Sequence, residues 1–167
     1  MGIQFRLATK QDAELIISIQ NQAFFEDYKR FGFCPNYNQR MEQVQFILTN
    51  REKKYFDYLI YEDDMPVGNM LIIVRNSKEC HLSSLCVVTT KRCQGIGNAA
   101  LFFLENDFLK NNCPDCNRIT LETPALKLNN IKFYLKFGYE IVDEVISHNI
   151  RCTLFKKEKV RINEERF

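Results

Sequence analysis

The segment of residues 92–98, with the sequence RCQGIGN, carries the clearest chemical signal in the chain. Gly95 and Gly97 stand one residue apart, so the backbone can bend tightly and turn several N–H groups toward one point. An apolar helical pattern follows from Ile96 to Leu109, and its unpaired N–H groups and dipole add positive potential there. Arg92 supplies a fixed positive charge beside them. The segment therefore predicts an anion site, and a diphosphate is the anion that suits it best.

The order of strand, basic loop, Gly-x-Gly and helix resembles motif A of the GNAT superfamily of N-acetyltransferases. That motif has Arg or Gln, two residues, Gly, any residue, and then Gly or Ala, which residues 92–97 match. A second match lies at the expected distance, because residues 133–139 (FYLKFGY) resemble motif B, an aromatic residue and Tyr on a helix before Gly-Phe or Gly-Tyr. The resemblance spans nearly the whole chain. It implies an acetyltransferase that uses acetyl-CoA as its co-substrate.

The resemblance also implies how the co-substrate is held. The strand before the loop is expected to part from its neighbour and to pair with the pantetheine arm as an added strand would, with Val87 offering both N–H and C=O. Charge-assisted hydrogen bonds to phosphate contribute about 1.5–3 kcal/mol each, so several together would anchor the CoA diphosphate. The predicted cofactor-binding residues are Leu85, Cys86, Val87, Val88, Arg92, Cys93, Gln94, Gly95, Ile96, Gly97, Asn98, Asn130 and Tyr134.

Three residues are candidates for the catalytic proton transfers. Tyr134 is expected to protonate the leaving thiolate, because a phenol with a pKa near 10 carries its proton at neutral pH. Glu122 lies twelve residues before it, which resembles the spacing of the catalytic base in the ribosomal-protein N-terminal acetyltransferases. His81 is a second candidate base that would act through water. The alternatives are that Tyr134 only packs its helix against the sheet, that Glu122 is a solvated residue at a strand end, and that His81 is a structural or surface residue. A further alternative is that a chain of water molecules, rather than a single base, carries the proton.

The resemblance places the acceptor pocket at the loop between the first two helices. Glu26, Asp27 and Tyr28 are the predicted substrate-binding residues: the acids would hold a cationic amine and the surrounding aromatic side chains an apolar body. A surface acid pair beside packed aromatic residues is the alternative interpretation. Family members often have Asn seven residues before the Tyr, where this chain has Lys127. The identity of the amine, in a small molecule or a peptide, stays open.

Composition narrows the class of protein. With 167 residues, the chain fits one domain, residues 1–167. A formal net charge of +2 argues against a strongly basic nucleic-acid binder. No apolar run reaches the roughly 18 residues of a membrane span, and the N-terminus lacks the pattern of a signal peptide. We therefore expect a cytoplasmic protein without a membrane or nucleic-acid partner, and the resemblance adds the possibility of a homodimer.

The cysteines predict neither disulfides nor a metal site. There are seven of them, an odd and scattered set, which argues against a disulfide framework. The CxxC of Cys113 and Cys116 lacks a second ligand pair at zinc-site spacing. Pro114 and Asp115 between them are typical turn residues, so a plain surface turn is expected.

Periodicity predicts an α/β (α+β) fold. The expected strands are 3–8, 55–61, 67–74, 80–88, 118–123, 139–146 and 150–155, and the expected helices are about 13–24, 38–49, 96–109 and 129–137. Residues 24–37 should be irregular, and the charged tail from about 156 should be frayed. Together with the resemblance, this order implies a mixed, mostly antiparallel sheet of six to seven strands flanked by about four helices.

Two other functions remain open from the sequence. One is a GNAT-like module that binds acyl-CoA without catalysis. The other is a dinucleotide-binding protein, since residues 95–100 satisfy G-x-G-x-x-A and Glu122 follows at a suitable distance. The second alternative is weakened because residues 89–94 separate the strand from the first Gly, whereas the fingerprint starts directly after the strand.

Overall fold

A single seven-stranded sheet organises the computed structural model, which describes residues 2–158 apart from the side chain of Lys53. Its strand order is β1-β2-β3-β4-β5-β7-β6, and every neighbouring pair is antiparallel except β4 and β5. The strands are β1 (Ile3–Leu7), β2 (Tyr55–Glu62), β3 (Met65–Asn76), β4 (Glu79–Val87), β5 (Arg118–Pro124), β6 (Glu140–Ser147) and β7 (Ile150–Glu158). The predicted mixed, mostly antiparallel sheet is confirmed.

Helices cover both faces of this sheet. They are α1 (Ala13–Phe31), α2 (Met41–Thr49), α3 (Ile96–Phe102), α4 (Leu109–Asn112) and α5 (Leu128–Lys136), and a π-helical segment, Phe103–Phe108, joins α3 to α4. One hydrophobic core lies between the sheet and α1 with α2, and a larger one lies against α3, α4 and α5. Among the described residues, no helix combines the length and apolar character that crossing a bilayer requires.

The first helix is longer than periodicity predicted. Residues 24–31 continue α1 instead of forming an irregular segment, and the helix ends at Gly32, whose φ of 72° suits a left-handed cap. The Gly32 N–H donates to the Tyr28 carbonyl at 2.9 Å. The aromatic side chains of this half are partly exposed, so their spacing gave no clean apolar stripe. Because the segment is helical, its successive side chains point about 100° apart.

The C-terminal end of the sheet also differs from expectation. Residues 156–158 belong to β7 and pair with β5, with Arg118 opposite Glu158. The start of the predicted frayed tail is therefore wrong, since these residues make regular strand contacts. Residues 159–167 lie outside the described part of the chain.

β4 and β5 pair along only part of their length. The parallel register joins Glu79–Leu82 to Arg118–Leu121 and then stops. On its other side β4 stays paired with β3 as far as Val87, across a bulge at Ser83. From Ser83 onward the two parallel strands therefore part, and a gap opens between them in the middle of the sheet.

The strand β3 lies close to the end of β4 at a glycine. Gly68 of β3 lies opposite Val87, and a Cβ at Gly68 would stand 2.5 Å from the Cys86 carbonyl oxygen. Such a contact is too close for any side chain. The absence of a side chain at Gly68 therefore lets the backbones of β3 and β4 approach closely.

The CxxC turn is only partly at the surface. Pro114 and Asp115 are exposed, as predicted for a turn. Cys113 and Cys116 are buried and lie beside Cys80 of β4. The expectation of a plain surface turn is wrong for the two cysteine side chains, because both point into the core.

A series of hydrogen-bonded polar side chains is buried between the sheet and α1. The Gln20 side-chain amide donates to Asn69 Oδ1 at 2.9 Å, and the Asn69 amide donates to a carboxylate oxygen of Asp57 and to the Tyr58 carbonyl. Burial raises the pKa of Asp57 to about 7, and the hydrogen bond from Asn69 offsets part of that effect.

Candidate active site

The glycine-containing loop after β4 bends as the sequence predicted, although its two glycines serve different purposes. A short 3-10 turn, Thr89–Lys91, follows β4, and Gly95 then adopts a φ of 84° directly before α3. Gly97 has no such φ. A Cβ at Gly97 would lie 3.1 Å from the Phe133 ring, so this glycine lets α5 approach α3 closely. Of the two glycines, only Gly95 has a left-handed φ, and Cys93 in the same loop has one as well, at 60°.

Arg92 is held in place by two main-chain carbonyls. Its Nε donates to the Val87 oxygen at 3.1 Å and its Nη2 to the Ala23 oxygen. The guanidinium therefore ties the loop both to the end of β4 and to α1. The Val87 carbonyl is the one that the sequence assigned to the cofactor, and a carbonyl has a second lone pair to offer.

A groove of about 810 Å³ runs along this loop between α1 and α5. It is lined by most of the predicted cofactor residues, namely Leu85, Cys86, Val87, Arg92, Cys93, Gly95, Ile96, Gly97, Asn98, Asn130 and Tyr134. Two predicted residues do not line it: the Val88 N–H donates to the Val67 carbonyl, and the Gln94 side chain donates to the Thr90 carbonyl. Lys91 and Phe133 line it as well.

A second, smaller cavity of about 160 Å³ occupies the gap between the parted strands. Its polar walls include Ser84 of β4 and Glu122 of β5, and the Ser84 hydroxyl is buried without a hydrogen-bond partner among the described residues. The Phe33 ring stacks on the His148 ring, with centroids 4.5 Å apart, where the α1–α2 loop meets the β6–β7 turn. The sequence indicated the loop but not the turn, because a contact between such distant residues leaves no local pattern.

The two cavities meet. Six residues line both of them: Phe24, Asp27, Leu85, Lys127, Asn130 and Tyr134. A molecule in the long groove and one in the small cavity would therefore touch at a common junction. A transfer reaction between two bound molecules requires this geometry.

Tyr134 projects from α5 into that junction. Its ring packs against Tyr139 and Phe155, with centroids 5.9 and 5.7 Å away. Burial raises the pKa of the phenol above its usual value, so the group stays protonated at neutral pH. Within residues 2–158, no protein group forms a hydrogen bond with its hydroxyl.

Only one of the three predicted substrate-binding residues reaches the cavities. Asp27 lines both, and its carboxylate accepts a bond of 2.7 Å from Lys127 Nζ. Glu26 lies beside Lys29 instead, and the Tyr28 ring stacks on Tyr37. The helical course of α1 explains the difference, because three consecutive side chains cannot face the same groove.

The two candidate bases lie in different surroundings. Glu122 lines the small cavity just where β5 leaves β4. His81 lies where the strands are still paired, lines neither cavity, and shares a hydrogen bond of 2.8 Å between its Nδ1 and Thr120 Oγ1. Burial, with a contribution from the Arg75 charge, lowers the pKa of His81 to about 4.

Asn130 contributes an amide to the junction. Its Nδ2 donates to Thr123 Oγ1 at 3.3 Å, which links α5 to the parted end of β5. The position seven residues before Tyr134 holds Lys127, whose ammonium is bound to Asp27. On this side the groove is therefore lined by the ion pair of Asp27 in α1 with Lys127 in the loop before α5.

Comparisons with known proteins agree with this geometry. A family model described as the acetyltransferase (GNAT) family matches residues 16–139. Among solved structures, the PaiA N-acetyltransferase from Thermoplasma acidophilum with coenzyme A superimposes with a TM-score of 0.77 at 15% identity, over 95% of this chain and 100% of its own.

Two further solved structures cover nearly the whole chain. The ribosomal-protein-S18-alanine N-acetyltransferase from Escherichia coli gives a TM-score of 0.75 at 14% identity, over 99% of each chain. AAC(6')-Ib in complex with paromomycin and acetyl-CoA gives 0.77 at 15% identity, over 100% of this chain and 99% of its own. At these identities, the likeness shows a shared fold.

Proposed function

Because the chain belongs to the GNAT acetyltransferase family, we propose that it transfers an acetyl group from acetyl-CoA to a primary amine of a small molecule or peptide. The amine attacks the thioester directly, without an acyl-enzyme. The observation that carries the proposal is the meeting of a long groove and a small cavity beside the Tyr134 hydroxyl.

The groove fits coenzyme A on three counts. The loop after β4 presents main-chain N–H groups around Gly95, next to the start of α3, as a diphosphate needs. The edge of β4 beyond Ser83 is unpaired on the β5 side, so it can hydrogen-bond to an extended chain of amides. Arg92 lines the same groove with positive charge, while Lys91, which also lines it, is ion-paired with Glu62 at 3.0 Å. Acetyl-CoA supplies the activated acetyl group, and these residues hold and orient it.

Glu122 is the base that this arrangement favours. Its carboxylate lines the cavity where an acceptor amine would lie, while the Asp27 carboxylate is neutralised by Lys127. Glu122 therefore takes the proton that the amine must lose, directly or through one water. His81 is a poor alternative because its ring is engaged by Thr120 and lines neither cavity. We assign His81 a structural role.

Tyr134 holds a proton at the place where the thiolate develops. Its phenol remains neutral because burial raises its pKa, and its hydroxyl has no hydrogen-bond partner among residues 2–158. A raised pKa makes the phenol a weaker acid but a persistent donor. We therefore assign it to stabilising and finally protonating the leaving sulfur.

The acceptor belongs to the class of small or slender amines. A cavity of about 160 Å³ accommodates a short side chain or the end of a longer molecule rather than a bulky body. Phe33 and His148 close one side of it. The solved neighbours include enzymes named for an alanine of ribosomal protein S18 and for an aminoglycoside, so this fold serves amines of very different size.

The proposal is tested by mixing the protein and acetyl-CoA with a panel of amines and measuring the release of free CoA thiol. The panel should include amino acids, polyamines, aminoglycosides and short peptides with different first residues. We expect amine-dependent release with at least one slender amine. CoA binding by calorimetry without release from any amine would instead support the alternative, a non-catalytic acyl-CoA-binding module.

The dinucleotide-binding alternative is not retained. That fingerprint belongs to a doubly wound parallel sheet, whereas this sheet has a single parallel pair, β4 and β5. A cytoplasmic location, a homodimer and the absence of nucleic-acid partners stay predictions from the sequence.

A further inference from the structure

Three cysteine side chains meet where β4 and β5 begin, at the end of the strand pair away from the gap. The Sγ atoms of Cys80, Cys113 and Cys116 all lie within 4.8 Å of one another. Cys80 belongs to β4, Cys113 directly follows α4, and Cys116 precedes β5. All three side chains are buried.

Backbone hydrogen bonds fix this convergence. The Cys116 N–H donates to the Cys113 carbonyl at 3.0 Å, which closes a tight turn and places both cysteines on its inner side. Cys80 is brought to them by the parallel pairing of β4 with β5, in which it lies opposite Ile119. The backbone positions of the three cysteines, and not only their side-chain rotamers, therefore bring the thiols together.

Three sulfur ligands and no fourth suit a particular class of ion. Soft thiolate ligands bind Cu(I), zinc and iron–sulfur clusters, but structural zinc sites and iron–sulfur clusters normally use four protein ligands, whereas Cu(I) also forms stable complexes with three thiolates. Among the described residues, the cluster contains only the three cysteines. Neither histidine supplies a fourth ligand, because His81 is bonded to Thr120 and His148 is stacked on Phe33.

We propose that Cys80, Cys113 and Cys116 form a three-thiolate binding site for a soft monovalent cation, with Cu(I) as the best match. On binding, three sulfur–metal bonds replace three S–H bonds, and three protons leave to solvent for each ion. The weak bonds that the Cys113 and Cys116 thiols donate to the carbonyls of Ser77 and Arg118, at 3.6 and 3.2 Å, are then lost.

The ion has a short route into the site. Residues 112, 114, 115 and 117 are exposed and flank the two buried cysteines of the turn. Opening this turn uncovers the thiols without disturbing the rest of the sheet. The competing explanation is that three small apolar side chains simply fill the core.

Occupation of the site would stabilise the protein rather than take part in transfer. It would join the start of β4, the end of α4 and the approach to β5, the region that keeps the two strands together below the gap. None of the three cysteines lines the groove or the small cavity. The test of this site is therefore separate from the test of acetyl transfer.

The decisive measurement uses the reduced, metal-free wild-type chain under anaerobic conditions. Cu(I) is titrated against a chromophoric Cu(I) chelator, and the loaded protein is examined by X-ray absorption spectroscopy. We expect one Cu(I) per chain with three sulfur neighbours. Fewer than three sulfur neighbours, or no competition with the chelator, would overturn the proposal.

Variants then identify the ligands. We expect Cys80→Ser, Cys113→Ser and Cys116→Ser each to weaken Cu(I) binding by more than about tenfold. Cys152→Ser is the matched control, because Cys152 is also buried but lies outside the cluster. If the serine hydroxyl prevents folding, Cys80→Ala removes the same sulfur without burying a polar group. Wild-type affinity in Cys80→Ala would refute the site, as would loss of affinity in Cys152→Ser.

Discussion

The Tyr134 side chain stands at the junction of the two cavities, and no protein group among residues 2–158 forms a hydrogen bond with its hydroxyl. We expect Tyr134→Phe to lower kcat by about 10²-fold, since the leaving sulfur loses its proton donor. CoA affinity should change little, because the ring still packs against Tyr139 and Phe155. Steady-state kinetics and calorimetry with CoA measure the two effects.

Tyr139→Phe is the matched control for that substitution. Tyr139 belongs to the same aromatic cluster, its hydroxyl is buried without a partner among the described residues, and it lines neither cavity. Its removal should leave kcat unchanged. A Tyr134→Phe enzyme as fast as wild type would exclude Tyr134 from proton donation.

Glu122 can be tested through the pH dependence of the reaction. We expect Glu122→Gln to lower kcat/KM by 10²-fold or more at neutral pH, at the scale of general base catalysis. The deficit should shrink as the pH rises toward about 10, where an alkylamine loses its proton without help. His81→Gln should leave the pH profile unaltered. A constant deficit across the pH range would point to a structural role for Glu122.

At the level of single residues, the resemblance to motifs A and B pointed to the loop and to Tyr134, and of the three predicted substrate-binding residues only Asp27 lines the cavities. Asp27 was found, yet Glu26 and Tyr28 were grouped with it because the sequence did not reveal that α1 continues through them. His148 and Cys80 gave no signal. Each acquires its place from a contact with a residue far along the chain, Phe33 for the first and Cys116 for the second.

Among the elements, the loop between β4 and α3 contains two residues with left-handed φ, Cys93 and Gly95. Gly95 has a φ of 84°, which a residue with a Cβ adopts at a cost of about 1–2 kcal/mol. We expect Gly95→Ala to weaken CoA binding by about tenfold, because the strained loop no longer aligns its N–H groups and each such bond contributes about 1.5–3 kcal/mol. Isothermal calorimetry with CoA gives the change directly.

Gly32→Ala controls for the strain itself. Gly32 has a φ of 72° at the end of α1, has nothing within 4 Å of its absent Cβ, and lines neither cavity. The two substitutions should lower the unfolding free energy to a similar extent, but only Gly95→Ala should reduce CoA affinity. Equal CoA affinity in both variants would show that the bend at Gly95 does not hold the nucleotide.

The order of elements was predictable, and their exact pairing was not. Alternation and turn residues located six of the seven strands to within about two residues, because hairpin turns are recognisable, whereas β7 extends three residues beyond its predicted end. The point at which β4 leaves β5 coincides with a bulge at Ser83 in the pairing of β4 with β3. The residue pattern of neither strand indicates where the two separate. The expectation that they separate came from the resemblance to the GNAT family.

For the molecule as a whole, Asp57 links stability to pH. Burial raises the pKa of its carboxyl from 3.8 to about 7, so the folded protein holds a proton that the unfolded chain has released. The unfolding free energy therefore falls as the pH rises from about 4 to about 7, by up to about 1.4 kcal/mol per pH unit. His81, with its pKa lowered to about 4, acts in the opposite direction below its usual value of 6.5.

Asp57→Asn separates these two effects. Asn preserves the size of the side chain and removes the titrating group, so we expect the variant to gain stability relative to wild type as the pH increases from 5 to 8. Urea denaturation at several pH values measures the difference between the two proteins. A difference that does not vary with pH would show that Asp57 titrates alike in the folded and unfolded states.

The parting of β4 from β5 leaves the β5 side of β4 without a neighbouring strand from Ser83 to Val87, and Leu85, Cys86 and Val87 line the open groove there. Exposed strand edges are the usual starting points for aggregation between chains. Colloidal behaviour should accordingly depend on whether CoA is present in the buffer. Concentrated samples kept with excess CoA should scatter less light on storage than the same samples after extensive dialysis.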